Sequence, residues 1–109
     1  MIVLHGLKAC DTCRKALKWL REAGRDVRLR DLREEPPTEA EIARWQAALG
    51  PALLNMRSIT WRGLDEAERV QDPETLLVTH PALIKRPVIE DGDALHLGWT
   101  SAVQAKLIS

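Results

Sequence analysis

The sequence has no surplus of charge of either sign and no long hydrophobic run. Its 109 residues include 16 Lys and Arg against 16 Asp and Glu, so the formal net charge is zero. A neutral chain lacks the usual electrostatic basis for binding nucleic acid or an anionic membrane. The opening apolar run, Met1 to Leu4, is too short to cross a membrane and lacks the charged segment of a signal peptide. We therefore expect a cytoplasmic protein that binds neither nucleic acid nor membrane.

Cysteine is scarce, with only Cys10 and Cys13. A disulfide closing so short a loop would add only about 2 kcal/mol by the chain-entropy estimate, so a structural cross-link is poorly supported. A zinc site could use His5 with both cysteines, but its fourth ligand would have to come from distant His80 or His96. We therefore expect no metal. In a reducing compartment such a CxxC pair indicates redox chemistry or metal binding rather than a permanent cross-link.

Internal repeats and low-complexity tracts are also missing. A chain of 109 residues is long enough for one domain with one core, so we expect a single domain over residues 1–109. The sequence shows no heptad pattern and no exposed apolar stripe, which favours a monomer.

The CxxC pair lies at the turn from a predicted strand, residues 2–6, into the strongest helical pattern of the chain, residues 11–23. The first backbone N–H groups of a helix have no partner within it and carry partial positive charge, which stabilises an anion such as the thiolate of Cys10. Arg14 and Lys15 add positive charge one turn on, whereas Asp11 opposes the effect. Such surroundings can lower a cysteine pKa from about 8.5 to between about 3.5 and 7.5. Cys10 is thus the predicted nucleophile.

Cys13 shares a helix face with Ala16, Leu17 and Leu20 at the spacing of buried residues. It should therefore be more buried than Cys10. This asymmetry suits a pair in which the exposed thiolate attacks and the inner thiol resolves the mixed disulfide. The alternative is that Cys13 is a small core residue and only Cys10 reacts.

The remaining pattern predicts a helical insertion between two β-containing halves. Gly24 ends the first helix, and a strand at residues 27–31 completes a βαβ unit. After a polar connection at residues 33–37, Thr38 and Glu41 form a capping box that opens a second helix. Short helical pieces follow, and the insertion covers about residues 36–82. Its candidate core residues are Ile42, Trp45, Leu49, Leu53, Leu54, Trp61, Leu64, Val70, Leu76 and Leu77.

A β-hairpin returns after the insertion. Residues 86–90 and 94–97 read as strands around an Asp-Gly-Asp turn, and a last helix from Thr100 covers the sheet with Val103, Ala105, Leu107 and Ile108. The order βαβ, helical insertion, ββα predicts an α/β protein of the thioredoxin-like fold with a four-stranded mixed sheet.

Three stretches of the chain carry a family resemblance. They are Val3 to Leu20, then Leu53-Leu54-Asn55-Met56-Arg57 with Thr60-Trp61-Arg62, and then His80-Pro81-Ala82-Leu83-Ile84-Lys85-Arg86-Pro87-Val88. Together they resemble the motifs of the ArsC/Spx family of thioredoxin-fold proteins over nearly the whole chain. The likeness is greatest to the YffB-like branch, whose members are described as arsenate reductases or glutathione-dependent thiol reductases.

The resemblance implies a role for individual residues. Cys10 stands at the family's nucleophile, and Cys13 is its candidate catalytic partner. Arg86 stands at the arginine that faces the nucleophile and binds an oxyanion, because a guanidinium donates two parallel hydrogen bonds to such a group. Pro87 stands at the proline that is cis beside the active thiol. Further candidate substrate-binding residues are Arg57 or Asn55, from the loop that lines the family's anion site, and Lys8.

Three features depart from the arsenate reductases that the sequence resembles. Their histidine four residues before the nucleophile is replaced by Gly6, and His5 lies one place off on the opposite face of the strand. Their third arginine corresponds to Leu97-Gly98-Trp99 here. The third departure is Cys13 itself, since a CxxC pair is typical of Spx-type regulators, in which it is a redox switch.

We therefore expect a thiol-dependent reductase that acts on arsenate or a glutathione mixed disulfide. Arg57 and Arg86 would hold the anion, and glutathione, glutaredoxin or Cys13 would resolve the adduct on Cys10. No tightly bound cofactor is expected, and glutathione or glutaredoxin is the expected electron donor. The alternative is a redox-sensing transcription regulator of the Spx type that binds RNA polymerase. Spx-type chains extend further at the C-terminal end, which favours the enzyme.

Overall fold

A computed structural model describes residues 1–108. Within these residues lie four strands and six α-helices, and four of the helices follow one another between β2 and β3. The strands are β1 (Ile2–Gly6), β2 (Val27–Asp31), β3 (Val88–Asp91) and β4 (Ala94–Leu97). The helices are α1 (Asp11–Glu22), α2 (Glu39–Leu49), α3 (Ile59–Arg62), α4 (Glu66–Arg69), α5 (Pro73–Thr79) and α6 (Ser101–Ile108), with 3-10 turns at Gly50–Leu53 and Pro81–Leu83.

The four strands form one mixed sheet in the order β2-β1-β3-β4. β1 pairs with β2 in parallel, and β3 is antiparallel to both β1 and β4. The parallel pair is joined through α1, as expected for a βαβ unit. This confirms the predicted thioredoxin-like fold and its four-stranded mixed sheet.

The chain divides into two compact units. The first combines Met1–Glu35 with the chain from Arg86 onward, and it contains the whole sheet together with α1 and α6. The second is Pro36–Lys85, and its regular structure is entirely helical apart from one isolated bridge between Leu54 and Ile84. The predicted helical insertion falls within this second unit.

The core of the first unit lies between α1, α6 and one face of the sheet. It contains fully buried side chains from the strands and both helices. Burial of each large aliphatic side chain among them stabilises the fold by about 1.5–3 kcal/mol. The fully buried side chains are Ile2, Leu4, Cys13, Ala16, Leu20, Ile89 and Leu107. On α6, Val103 is half-buried, whereas Ala105 and Ile108 are exposed. Only part of the predicted apolar face of α6 therefore covers the sheet.

Arg25 fastens the C-terminal helix to the sheet within the first unit. Its guanidinium donates to both carboxylate oxygens of Asp91, at 3.0 and 3.1 Å, and to the carbonyl oxygen of Leu107. Arg25 thus links the loop after α1 to the end of β3 and to the last turn of α6.

The second unit is built from short, individually capped helices. The predicted capping box opens α2, with the Thr38 hydroxyl accepting from the Glu41 backbone N–H at 3.1 Å. Ile42 and Trp45 are fully buried on α2 as predicted. Val70 was predicted to be a core residue, which is wrong: it lies at the C-terminal end of α4 and is 83% exposed. With only one turn of helix before it, the periodicity could not define its face.

No helix among residues 1–108 combines the length and the apolar character needed to span a bilayer.

Candidate active site

Cys10 lies at the N-terminal cap of α1, as the sequence predicted. Its carbonyl oxygen accepts the first hydrogen bond of the helix from Arg14, at 3.0 Å, and its own N–H donates to the carbonyl of Leu7 at 3.1 Å. The side chain is partly exposed, whereas Cys13, one turn into the helix, is fully buried. Both are free thiols. The predicted asymmetry in exposure between the two cysteines is confirmed.

The surroundings of Cys10 favour its thiolate. Partial burial raises the pKa of the Cys10 thiol, but the backbone N–H and side chain of Cys13, and then the charge and hydrogen bonding of Arg86, outweigh burial and lower that pKa below its usual value. Desolvation disfavours the charged form, whereas donors and positive charge favour it. Cys10 is thus a partly exposed thiol with a lowered pKa at the start of a helix.

Cys13 is perturbed in the opposite direction. Burial raises the pKa of the Cys13 thiol to about 11, and the neighbouring Cys10 side chain and its charge add to the increase. A backbone hydrogen bond from Leu7 and the charge of Arg86 oppose it without cancelling it. The surroundings therefore shift the pKa values of the two cysteines in opposite directions, downward for Cys10 and upward for Cys13.

Arg86, two residues before β3, supplies positive charge to the site. The Arg86–Pro87 peptide is cis, as the resemblance implied, and Pro87 is buried. Across residues 1–108, Nε of Arg86 stands out because it is buried without a hydrogen-bond partner. Buried polar groups are normally paired, so an unsatisfied donor calls for an explanation. Here it is an N–H of a guanidinium whose charge already acts on Cys10.

Gly6, the last residue of β1, makes room for the inner thiol. A Cβ atom built on Gly6 would lie 2.3 Å from the sulfur of Cys13 and 3.3 Å from its Cβ. The sulfur thus occupies the volume that any other residue at position 6 would need. Gly6 had been noted only as a departure from the arsenate reductases, and the contact with Cys13 gives a physical reason for it.

Lys8 was predicted to bind substrate, and its side chain is exposed beside the site. Its Nζ donates to both carboxylate oxygens of Glu34 at 3.0 Å, and that hydrogen bond, followed by the charge of Glu34, raises the pKa of Lys8. On α1, the Asp11 carboxylate is paired with the Arg14 guanidinium. The negative charge of Asp11, which was predicted to disfavour the Cys10 thiolate, is therefore balanced by the positive charge of Arg14.

Asp31 is a site residue that the sequence reasoning missed. Its carboxylate accepts three backbone hydrogen bonds, from Lys8 at 3.0 Å, from Arg33 at 2.7 Å and from Glu34 at 3.3 Å. The bond from Lys8, followed by those from Arg33 and Glu34, lowers the pKa of Asp31 against the opposing effect of burial. The carboxylate of an Asp at the end of a strand commonly accepts a hydrogen bond from the backbone N–H of the residue two positions later in the loop. That signal was available in the sequence.

Asn55 and Arg57, the other predicted substrate-binding residues, belong to the second unit. The Asn55 side-chain oxygen accepts from the backbone N–H of Arg57 at 3.0 Å, and the Asn55 N–H donates to Leu83 at 2.7 Å. The Arg57 side chain is exposed. Their role in holding a substrate stays a prediction.

His5 is buried on the sheet and bonded to side chains other than the cysteines. Its Nε2 lies 2.9 Å from a carboxylate oxygen of Glu90, and its Nδ1 lies 3.3 Å from the Arg30 guanidinium. In the part of the chain that the structure describes, no group of three or more His, Cys, Asp or Glu side chains is arranged to hold a metal ion.

A thiolate titration of the reduced protein is expected to show two steps. The lower step, below the usual range of a thiol, belongs to Cys10, and the upper one, near pH 11, belongs to Cys13. Because the Cys13 side chain helps to lower the pKa of Cys10, Cys13→Ala should remove the upper step and move the lower one upward. Ultraviolet thiolate absorbance measures both. A single step at the ordinary thiol pKa would contradict the assigned surroundings.

Comparison with known proteins gives a consistent result. A family model described as the ArsC family matches residues 5–107. A Haemophilus influenzae protein of uncharacterised function is 40% identical over 101 residues, covering 87% of this chain and 89% of its own length. The global transcriptional regulator Spx of Bacillus subtilis is 30% identical over 105 residues, which cover 91% of this chain and 80% of Spx.

Among solved structures, the protein YffB superimposes with a TM-score of 0.91 at 33% identity, and the match covers 100% of both chains. The similarity therefore extends over the cysteine turn, the helical insertion and the C-terminal hairpin.

Proposed function

We propose that this chain, which belongs to the ArsC family, is a thiol-dependent reductase whose nucleophile is Cys10. One observation carries the proposal: the partly exposed Cys10 has a lowered pKa and lies beside a buried thiol and a guanidinium. A lowered pKa and an accessible position are the two properties that distinguish a reactive cysteine from a structural one.

The proposed first step is attack of the Cys10 thiolate on an oxidised substrate. With a glutathione mixed disulfide, Cys10 bonds to the glutathione sulfur, the original S–S bond breaks, and the substrate leaves as a thiolate that takes a proton from water. The substrate thiol is regenerated and Cys10 carries glutathione, so the disulfide has moved to the protein, where it remains until a further thiol resolves it. Arsenate is the other candidate substrate, since it too is anionic and oxidised.

Cys13 becomes a better resolving thiol once Cys10 has reacted. In the free protein the side chain and charge of Cys10 help to raise the pKa of Cys13. A Cys10 that is bonded to glutathione has no negative charge, so that contribution is lost. Attack by Cys13 on the Cys10 sulfur then forms the intramolecular disulfide and releases reduced glutathione. Alternatively, a second glutathione attacks the carried glutathione sulfur, which forms oxidised glutathione and restores Cys10.

The unsatisfied Nε of Arg86 supports an anionic substrate. A carboxylate of glutathione or an arsenate oxygen would give this buried donor the partner it lacks among residues 1–108. We assign the same general function to the exposed side chain of Lys8 and to Pro87, whereas a substrate-binding role for Arg57 and Asn55 of the second unit stays a prediction from the family resemblance. Glutathione or glutaredoxin, both present in a reducing cytoplasm, would supply electrons.

The test uses glutathione disulfide as the probe and intact-protein mass as the readout. The reduced wild-type protein should be converted to the form with a Cys10–Cys13 disulfide, whereas the Cys13→Ser variant should accumulate one glutathione on Cys10. The reaction at neutral pH should be at least about tenfold faster than that of an ordinary thiol, because more Cys10 is ionised. If the folded protein reacts with glutathione disulfide no faster than the same chain unfolded in urea, the proposal is overturned.

A second candidate function is a redox-dependent regulator. The similarity to Spx over 80% of that protein, together with the CxxC pair, favours it. In that case oxidation of Cys10 and Cys13 would change the capture of the C-terminal domain of the RNA polymerase α-subunit, which a pull-down with reduced and oxidised protein measures.

A further inference from the structure

The turn that carries Cys10 is tied to the end of the neighbouring strand by one side chain. β1 and β2 pair in parallel up to Gly6 and Asp31, and the Leu32 N–H closes this end of the ladder on the Gly6 carbonyl at 2.8 Å. Beyond that point, Oδ2 of Asp31 accepts the backbone N–H of Lys8 at 3.0 Å. Lys8 is two residues before Cys10. The carboxylate thus continues the link between the two chains past the last backbone pair.

We propose that Asp31 is a positioning residue for Cys10, which it places by holding the Lys8 backbone against the end of β2. The inference rests on the proposed function of Cys10 as a nucleophile. Asp31 does not touch the reacting atoms; it acts through the turn from Leu7 to Cys10, whose ends are joined by the Cys10 N–H and the Leu7 carbonyl.

The carboxylate of Asp31 is itself firmly placed. Its other oxygen, Oδ1, accepts from the N–H groups of Arg33 at 2.7 Å and Glu34 at 3.3 Å, and its side chain is largely buried at 9% exposure. The Asp31 carbonyl accepts from Glu34 and Glu35 at 3.1 and 2.9 Å. One oxygen therefore organises the loop after β2, and the other holds the turn before α1. A residue that only shaped its own loop would not need the bond to Lys8.

The sign of the change in the Cys10 pKa separates positioning from simple electrostatics. Removing a negative charge near a thiolate stabilises the thiolate and lowers its pKa. Releasing the turn should have the opposite effect, because Cys10 then loses its alignment with the Cys13 N–H and with Arg86, the interactions that lower its pKa. A loss of overall stability alone would leave the pKa in the folded state unchanged.

Asp31→Asn is the variant that tests this. Asparagine has the same shape but only one acceptor oxygen, which we expect to stay with the two N–H groups of Arg33 and Glu34, so that the NH₂ group faces the single N–H of Lys8 and the bond to Lys8 is lost. Glu34→Gln is the charge-matched control, because it removes one negative charge and the ion pair with Lys8 Nζ but leaves the backbone bond intact.

We expect Asp31→Asn to raise the Cys10 pKa by about one unit, which reduces the thiolate fraction and the reaction with glutathione disulfide by up to about tenfold at neutral pH. Glu34→Gln should leave the pKa unchanged or lower it. Circular dichroism establishes that each variant is folded, and ultraviolet absorbance gives the thiolate titration. A Cys10 pKa that falls in Asp31→Asn, or moves as in Glu34→Gln, would overturn the proposal.

A second pair of variants tests the same hydrogen bond at its donor, the backbone N–H of Lys8. Lys8→Pro deletes the N–H that Asp31 accepts, whereas Lys8→Ala keeps that N–H and loses the same positive charge. The proposal requires a higher Cys10 pKa in the proline variant than in the alanine variant, and equal values would refute it. This pair decides the question if Asp31→Asn does not fold. The titration needs no substrate, so it stands even if the protein proves inert toward glutathione disulfide.

Discussion

Replacing Cys10 by serine is expected to abolish the reaction with glutathione disulfide, in which Cys10 acquires one glutathione and the other leaves as its thiolate, with a rate loss of at least about a thousandfold. A serine hydroxyl in the same position is not ionised at neutral pH and cannot form the mixed disulfide. The lower step of the thiolate titration should disappear at the same time. Stability should change little, because Cys10 is partly exposed and its role in starting α1 depends on the backbone.

Cys13→Ser is the matched control for that experiment, since it makes the same change of atom one turn further along the helix. Attack by Cys10 does not require the Cys13 sulfur, so this variant should still acquire one glutathione. Equal loss of the first step in both serine variants would mean that the nucleophile is wrongly assigned. A rate unchanged by Cys10→Ser would place the reaction at another residue.

Gly6→Ala is expected to destabilise the protein by about 2–3 kcal/mol, at the upper end of the range for overpacking a rigid core. The added methyl would lie 2.3 Å from the sulfur of the fully buried Cys13, which has to move or leave its rotamer. Urea unfolding under reducing conditions measures the change in the free energy of unfolding. The displaced Cys13 should also weaken its effect on Cys10, whose pKa should rise.

A double-mutant cycle separates the clash from any backbone effect of Gly6. Cys13→Ala removes the sulfur and leaves a Cβ 3.3 Å from the new methyl, a tight but tolerable contact. Gly6→Ala should therefore cost much less in the Cys13→Ala background than in the wild type, with a coupling of about 1–2 kcal/mol. Equal costs in both backgrounds would show that the sulfur is not what excludes a side chain at position 6.

The same contact bears on the comparison with arsenate reductases. The resemblance places a histidine of those enzymes at position 6, and here that position cannot accept even a methyl group while Cys13 keeps its place. An inner cysteine and a side chain at position 6 are therefore alternative ways of filling one volume.

Much of the fold could be predicted because the relevant signals are local. Apolar periodicity gave α1 and its buried face with Cys13, and the capping box located the start of α2. The Asp-Gly-Asp turn gave the β3–β4 hairpin, where Gly92 has a φ of +60°. Each signal lies within a few residues of what it determines. The exposed Val70 marks the limit, since a single helical turn contains too few positions to define a face.

The site was less predictable because its essential contacts join distant residues. The bond from Lys8 to Asp31 spans 23 positions, and no periodicity reports it. The fit of the Cys13 sulfur against Gly6 depends on how α1 packs on β1, which a sequence pattern does not specify to a fraction of an ångström. The position of Arg86 next to Cys10 was expected only from the family resemblance.

The first unit is assembled from both ends of the chain, and this has a consequence for the newly made protein. Cys10 emerges from the ribosome early, but Arg86 and the strand that follows it are synthesised only after the whole of the second unit. Until then the thiol lacks the guanidinium that helps to lower its pKa, and β1 lacks its antiparallel neighbour. We therefore expect the Cys10 thiol of the nascent chain to keep a more ordinary pKa, and to react more slowly with oxidants, until Arg86 has left the ribosome.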